Sequence, residues 1–305
     1  MSEKLALSTS TISFPAHGHF LFMLIIFLQG FTPIMAQTNG WYTAKSIGMK
    51  TWVIKEPGFD ENMYLLEGKD STLLIDAGLG MGNLRDFVKT VSSKPLILVN
   101  THCHPDHTGG DHQFAKAYIG AADLDFAKPN LDTKVMKNIT GTMLKNIHIP
   151  DSLKFPDTLA AVTTVLIPVS DKYIFHLGGR DVQVITFSGH TAGSICLLDF
   201  NNQFLFTGDN NNTVWLFMEQ SSSVEVFLQS LKKLNSYKSK FTILYPGHGP
   251  SIPIGVLDEL IACDELILSG KCEAKPYHSM LGTDATSCTY KSVIIAYDTN
   301  KIKIK

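Results

Sequence analysis

The chain is poor in charge and in cysteine. Charged residues make up 18% of the 305 residues, against roughly 25% in an average soluble domain. The formal net charge is −2. So even a balance gives no electrostatic footprint for a polyanion, and nucleic acid is not expected as a partner. The five cysteines are Cys103, Cys196, Cys263, Cys272 and Cys288. None stands in a C-x-x-C pair, which argues against a structural zinc knuckle. The apolar stretch Phe20–Leu28 stops well short of the about 20 residues needed to cross a bilayer. Small residues follow it, with Ala36 before Gln37. That order reads as a signal peptide over 1–36, cleaved after Ala36. The expected product is secreted or periplasmic, with no stable membrane association after cleavage. An uncleaved N-terminal anchor is the alternative. In an oxidising compartment Cys272 and Cys288 are candidates for one disulfide.

Against this plain background stands Asn100-Thr101-His102-Cys103-His104-Pro105-Asp106-His107-Thr108-Gly109-Gly110. Three imidazoles and a carboxylate share one short loop. These are the nitrogen and oxygen donors that bind zinc-like ions without thiolate. His102 and His104 alternate, so in extended backbone they face the same side. Asp106 and His107 are adjacent and diverge, so they reach a second position. A surface loop rich in histidine by accident is the bland reading. Three further segments repeat the chemistry: Ser188-Gly189-His190-Thr191, Thr207-Gly208-Asp209 and Pro246-Gly247-His248-Gly249-Pro250. Each contains or follows a β-prone apolar run and sets glycine beside a single donor. This is how a strand end delivers one ligand into a shared cleft. Cys103, between two donors, is expected to point away and pack. Cys196 is expected in the core.

The pattern H-x-H-x-D-H, then a single His, a single Asp and a final His, resembles the metallo-β-lactamase superfamily. The resemblance covers roughly Thr51 to Leu266 and includes an early strand ending in Asp76-Ala77-Gly78. It implies an α+β fold, a four-layer αββα sandwich with a metal cleft at one rim. It implies that His102, His104 and His190 hold one metal, that Asp106, His107 and His248 hold a second, and that Asp209 bridges them. Two zinc ions are expected, with iron or manganese as the other ions such a set accepts. Asp106 would also serve catalysis as a base, and Asp76 would steady a ligand from behind. His112, His148, His176 and His278 match no ligand position.

The expected organisation is a leader (1–36), a hydrolase domain (37–270) and a C-terminal extension packed on it (271–305). Strands are expected at Trp52–Ile54, Met63–Leu66, Thr72–Ile75 and Pro95–Asn100, with a helix at Leu84–Val91. A helix over Thr108–Ala117 and a helical excursion over Ala122–Phe155 should follow. The second half predicts strands near 165–169, 182–187, 194–199, 203–207 and 241–245. Helices are expected near 224–234 and 254–268, and an edge strand at Ser292–Tyr297.

Paired metals lower the pKa of bound water and polarise the bond under attack. The expected reaction is hydrolysis of an ester-like bond, thioester or lactone, in a small molecule by metal-bound hydroxide. The surroundings of His190 and His248 resemble the glyoxalase II-like branch. The basic residues that hold glutathione in glyoxalase II are not evident after His248. Asn210-Asn211-Asn212 stand where lactonases carry tyrosine. The β-lactamases typically have Cys or Ser at the place of Asp209, so an exported β-lactamase is the second reading. A non-hydrolytic metal-binding protein or a diiron oxidoreductase is the third.

Overall fold

The computed structural model describes residues 37–38, 40–58, 60–145, 149 and 163–304. The proposed leader, 1–36, lies outside the described residues, as do 146–148 and 150–155 of the excursion. No helix among the described residues is long and apolar enough to cross a membrane.

The first sheet has eight strands in chain order. They are Gln37–Thr38, Thr43–Gly48, Thr51–Lys55, Asn62–Glu67, Thr72–Ile75, Leu96–Val99, Lys116–Gly120 and Val165–Val169. The first five pair antiparallel, and the remaining joins are parallel. The second sheet runs, in spatial order, Ile252–Pro253, Ile243–Pro246, Phe204–Gly208, Ile195–Asp199, Asp181–Thr186 and Ile174–His176. A third, four-stranded sheet runs Thr213–Leu216, Val293–Tyr297, Asp284–Tyr290 and Lys275–His278.

Side-chain alternation builds the layers. Leu73 and Ile75 point between the two large sheets, where they meet Val182, Val184, Ile195 and Leu197. Leu74, between them, points outward to Leu84, Phe87, Val88 and Met136, which come from helices on the outer face. On the second sheet Ile185, Cys196 and Leu198 point outward to Phe227, Leu231, Leu257 and Leu260. The order is helix, sheet, sheet, helix: the α+β sandwich. Full burial of each such aliphatic side chain is worth roughly 1.5–3 kcal/mol. A one-residue slip would exchange the two faces of a strand, so the pattern fixes register.

A buried ion pair helps tie the sandwich together. Arg180 is buried and pairs with buried Asp199 at 2.6 Å. Its guanidinium also donates to the carbonyls of Lys50 and Glu67 and to the Thr51 hydroxyl. Removing it would strand Asp199 as a buried charge.

Two expectations are corrected. The helix over Thr108–Ala117 is absent. A short turn, Pro105–Thr108, is followed by a 3-10 turn, Asp111–Gln113, and by the strand from Lys116. Gly109 and Gly110 press against the turn at Ala77–Leu79 so closely that a Cβ on either would fall 2.6 Å or less from backbone there. That contact fixes the loop and stops the helix. The tail strand Val293–Tyr297 is not an edge. It lies between Thr213–Leu216 and Asp284–Tyr290. The excursion is helical where described, ending in the helix Thr133–Met143. Cys272 and Cys288 form a disulfide, and Cys103, Cys196 and Cys263 are free and buried. Cys103 packs with Ile119 and Ala127.

Candidate metal centre

The strands Thr72–Ile75 and Leu96–Val99 are parallel neighbours, so their C-terminal ends open at the same rim. Asp76 leaves the first of them at φ 63°. Its Oδ1 accepts the backbone N–H of Thr101 at 2.7 Å, which pins the start of the histidine loop. Its Oδ2 lies 3.0 Å from His107 Nδ1, which turns His107 Nε2 into the cleft. Asp76 thus sits behind a ligand rather than among them.

The seven residues of the motif converge. His102 Nε2 lies 3.1 Å from His104 Nδ1, and His190 Nε2 lies 2.9 Å from the same atom. Nearby, His107 Nε2 and His248 Nε2 are 3.3 Å apart. Asp106 Oδ2 lies 3.2 Å from His248 Nε2 and 3.6 Å from His107 Nε2. Asp209 stands between the groups. Its Oδ1 is 3.4 Å from His107 Nε2, and its Oδ2 is 3.5 Å from both His190 Nε2 and His248 Nε2. Three sets are close enough to grip an ion: His102, His104 and His190; His102, His107 and Asp209; Asp106, His107 and His248.

Electrostatics separate the first set from the third. Burial, then His107 and His104, holds His102 well below the ordinary imidazole value. Burial also lowers His104, and with His104 as neighbour it takes His190 down to about 3. These neutral imidazoles bring His102 Nε2 and His190 Nε2 to the same atom, His104 Nδ1, and neutral imidazole nitrogen is the donor that a divalent metal takes. In the third set, burial opposes charge on His107, but Asp106, Asp209 and Asp76 raise it to about 10. Burial likewise opposes His248, yet Asp209 and Asp106 raise it to about 9. Burial opposes ionisation of Asp106 and Asp209, and the imidazoles outweigh it, holding both carboxyls below their usual range. Asp209 Oδ1 is buried and has no hydrogen-bond partner among the described residues. Such an oxygen is costly unless something positive meets it. The donor set fits divalent metal.

Two of the remaining ring nitrogens are oriented. His102 Nδ1 lies 3.0 Å from the Thr101 hydroxyl, and His190 Nδ1 lies 3.1 Å from the Trp215 carbonyl. The Asn210 amide oxygen accepts the backbone N–H of His190 at 2.8 Å.

Sequence reasoning missed Asp123. It is fully buried. Its carboxylate accepts from the Cys103 N–H at 2.9 Å, the Thr191 hydroxyl at 2.6 Å and the Gly193 N–H at 2.7 Å. One side chain therefore holds the loop of His102 and His104 against the loop of His190. The close approach needs glycine: a Cβ on Gly120 would lie 1.9 Å from the Gly193 carbonyl oxygen. Asn130 adds a second brace, donating to the Cys103 carbonyl and the Thr108 hydroxyl. His112 is buried with Nδ1 on the Gly109 carbonyl, and His176 and His278 are surface partners of Asp181 and Asp284. His148 lies outside the described residues.

Residues 57–248 match the family model for the metallo-beta-lactamase superfamily. The chain is similar to the acyl-coenzyme A thioesterase MBLAC2 of Homo sapiens, 28% identical over 185 residues, covering 55% of this chain and 66% of that protein. It is also similar to the atrochrysone carboxyl ACP thioesterase of Emericella nidulans, 25% identical over 213 residues, covering 67% and 57%. The chain thus spans somewhat under two thirds of either relative. Among solved structures, a metallo-beta-lactamase from Pontibacter korlensis superposes with a TM-score of 0.51 at 18% identity, covering 73% of this chain and 99% of that one. That likeness speaks to fold alone.

Proposed function

Because the chain belongs to the metallo-beta-lactamase superfamily, we propose that it is a metal-dependent hydrolase of small-molecule thioesters, working with two zinc ions. The observation that carries the dinuclear reading is Asp209. Its two oxygens face imidazoles of both flanking sets. The thioester preference is supported by the named activities of the similar proteins. Aspartate rather than a thiol or hydroxyl at position 209 favours it over β-lactam cleavage. The near-neutral chain weighs against a phosphodiester.

His102, His104 and His190 would hold one ion, Asp106, His107 and His248 the other, with Asp209 shared. When bound, the pair supplies Lewis acidity toward the carbonyl and an acidified water at neutral pH. The protein's own groups do the rest. Asp106, beside His248 and His107, would orient the attacking water and accept its proton. The water oxygen adds to the thioester carbonyl, the carbon–sulfur bond breaks, and the thiol leaves with the proton. A thiol leaves readily because its pKa is low. Asp76, Asp123 and the Trp215 carbonyl keep the ligands aimed.

We further read the protein as exported and matured near Gln37. The Cys272–Cys288 disulfide supports an oxidising compartment. The hydrolase reading is tested with zinc-loaded protein on a panel of thioester, lactone, cephalosporin and phosphodiester substrates. Thioester turnover lost to a chelator and restored by zinc is expected. Cephalosporin turnover without thioester or lactone activity would overturn it.

A further inference from the structure

The strand Thr213–Leu216 has two unlike faces. Val214 and Leu216 are fully buried in the outer core with Phe227 and Leu257. Trp215 takes the other face, and Phe217 follows in the same phase, both half-buried. Their ring centroids are 5.4 Å apart. Tyr277, from the strand Lys275–His278, completes the group at 6.4 Å from Trp215 and 6.2 Å from Phe217. The Trp215 indole N–H donates to the Tyr277 hydroxyl at 2.8 Å. The indole nitrogen and the phenolic oxygen thus satisfy each other, and the rings present largely apolar faces.

The backbone of the strand that carries Trp215 adjoins the metal centre. The Trp215 carbonyl lies 3.1 Å from His190 Nδ1, and the Ser221 hydroxyl donates to both the Trp215 and His190 carbonyls. The aromatic group is also built to hold its shape. Its Tyr277 strand pairs with Asp284–Tyr290, whose Cys288 is tied to Cys272. The same hairpin carries Met280 and Leu281, 78% and 53% exposed, at its tip.

We propose that Trp215, Phe217 and Tyr277 form the wall against which the apolar acyl chain of the substrate lies, making the enzyme selective for long acyl groups. The proposal rests on the thioesterase reading. A long chain is the occupant such a surface fits: its polar atoms are already paired, and rings recognise hydrocarbon by contact area. A charged leaving group gains nothing from it. Phe217 and Tyr277 act as specificity-determining residues.

The test measures kcat/KM for acetyl to lauroyl thioesters of coenzyme A on the zinc-loaded full chain. In Phe217→Ala and Tyr277→Ala the ratio of lauroyl to acetyl kcat/KM should fall about tenfold or more, the loss expected for an uncovered ring. Tyr277→Phe keeps the ring and should retain most of the ratio, with thermal melting to check folding. An unchanged ratio in both alanine variants overturns the wall. If the wild type cleaves no thioester, the functional reading fails, and the wall is judged by calorimetric binding of laurate. Binding weakened about tenfold in Phe217→Ala supports it. Equal affinity, or none in the wild type, overturns it.

Discussion

The two halves of the sandwich deliver their ligands in opposite ways. The first half sets His102, His104, Asp106 and His107 on one loop after a single strand. The second half delivers one ligand from each of three places: His190 beyond Asp181–Thr186, Asp209 directly after Phe204–Gly208, and His248 beyond Ile243–Pro246. Local sequence largely determines the first arrangement. The second exists only once the strands have paired, so it needs ties that the first does not. Asp123 and Asn210 are such ties. The lesson is that the ligands most dispersed in sequence depend most on residues outside the motif.

The sharpest way to break this comparison is Asp209→Ala, which removes the one carboxylate that faces both sets. Turnover should fall at least about a hundredfold, and metal analysis should show fewer than two equivalents bound. Two equivalents retained with full activity would refute its bridging place. A smaller effect is expected for Asp123→Ala. It frees the His190 loop from the His102–His104 loop but leaves the His248 loop alone. In a cobalt titration one equivalent should weaken about tenfold, within the range for groups that orient ligands, while the other holds. Equal weakening of both would mean the loops are not separately braced.

The smallest effect lies within the second half, away from the cleft. Asp264 is fully buried, and neither of its carboxylate oxygens has a hydrogen-bond partner among the described residues. Burial, then Glu265, raises its carboxyl to about 8, against about 3.9 in an unfolded chain. Between those values the folded state keeps a proton that the unfolded chain has released. Stability therefore falls as pH rises through that window. Asp264→Asn should raise the melting temperature at pH 8 by a few degrees, corresponding to about 1–3 kcal/mol. The gain should vanish near pH 4. A gain equal at both pH values would show that charge is not the cause.

Legibility in the sequence followed the same division. The histidine loop was plain because its donors are local and costly to bury unused. The later ligands were visible as glycine beside a single donor at a strand end. Strand positions from Thr51 to Val99 followed from short apolar runs, whereas the strand Thr213–Leu216 was hidden behind three asparagines. Without it, Val293–Tyr297 read as an edge. Asp123 carried no local mark: its role arises where Gly120 meets Gly193, a contact 73 residues apart that only the folded chain makes. The aromatic wall was illegible for the same reason, since Trp215 and Tyr277 meet across 62 residues.

The Cys272–Cys288 link bears on how the protein would answer a protease. The turn at Met280 and Leu281 is exposed, and it lies between the two linked cysteines. A cut there would leave each fragment holding one half of the cystine. The nicked chain would migrate as one species until a reductant was added, then part into two. Backbone cleavage at that turn would therefore go unseen on a non-reducing gel, and the strands on either side would stay in register.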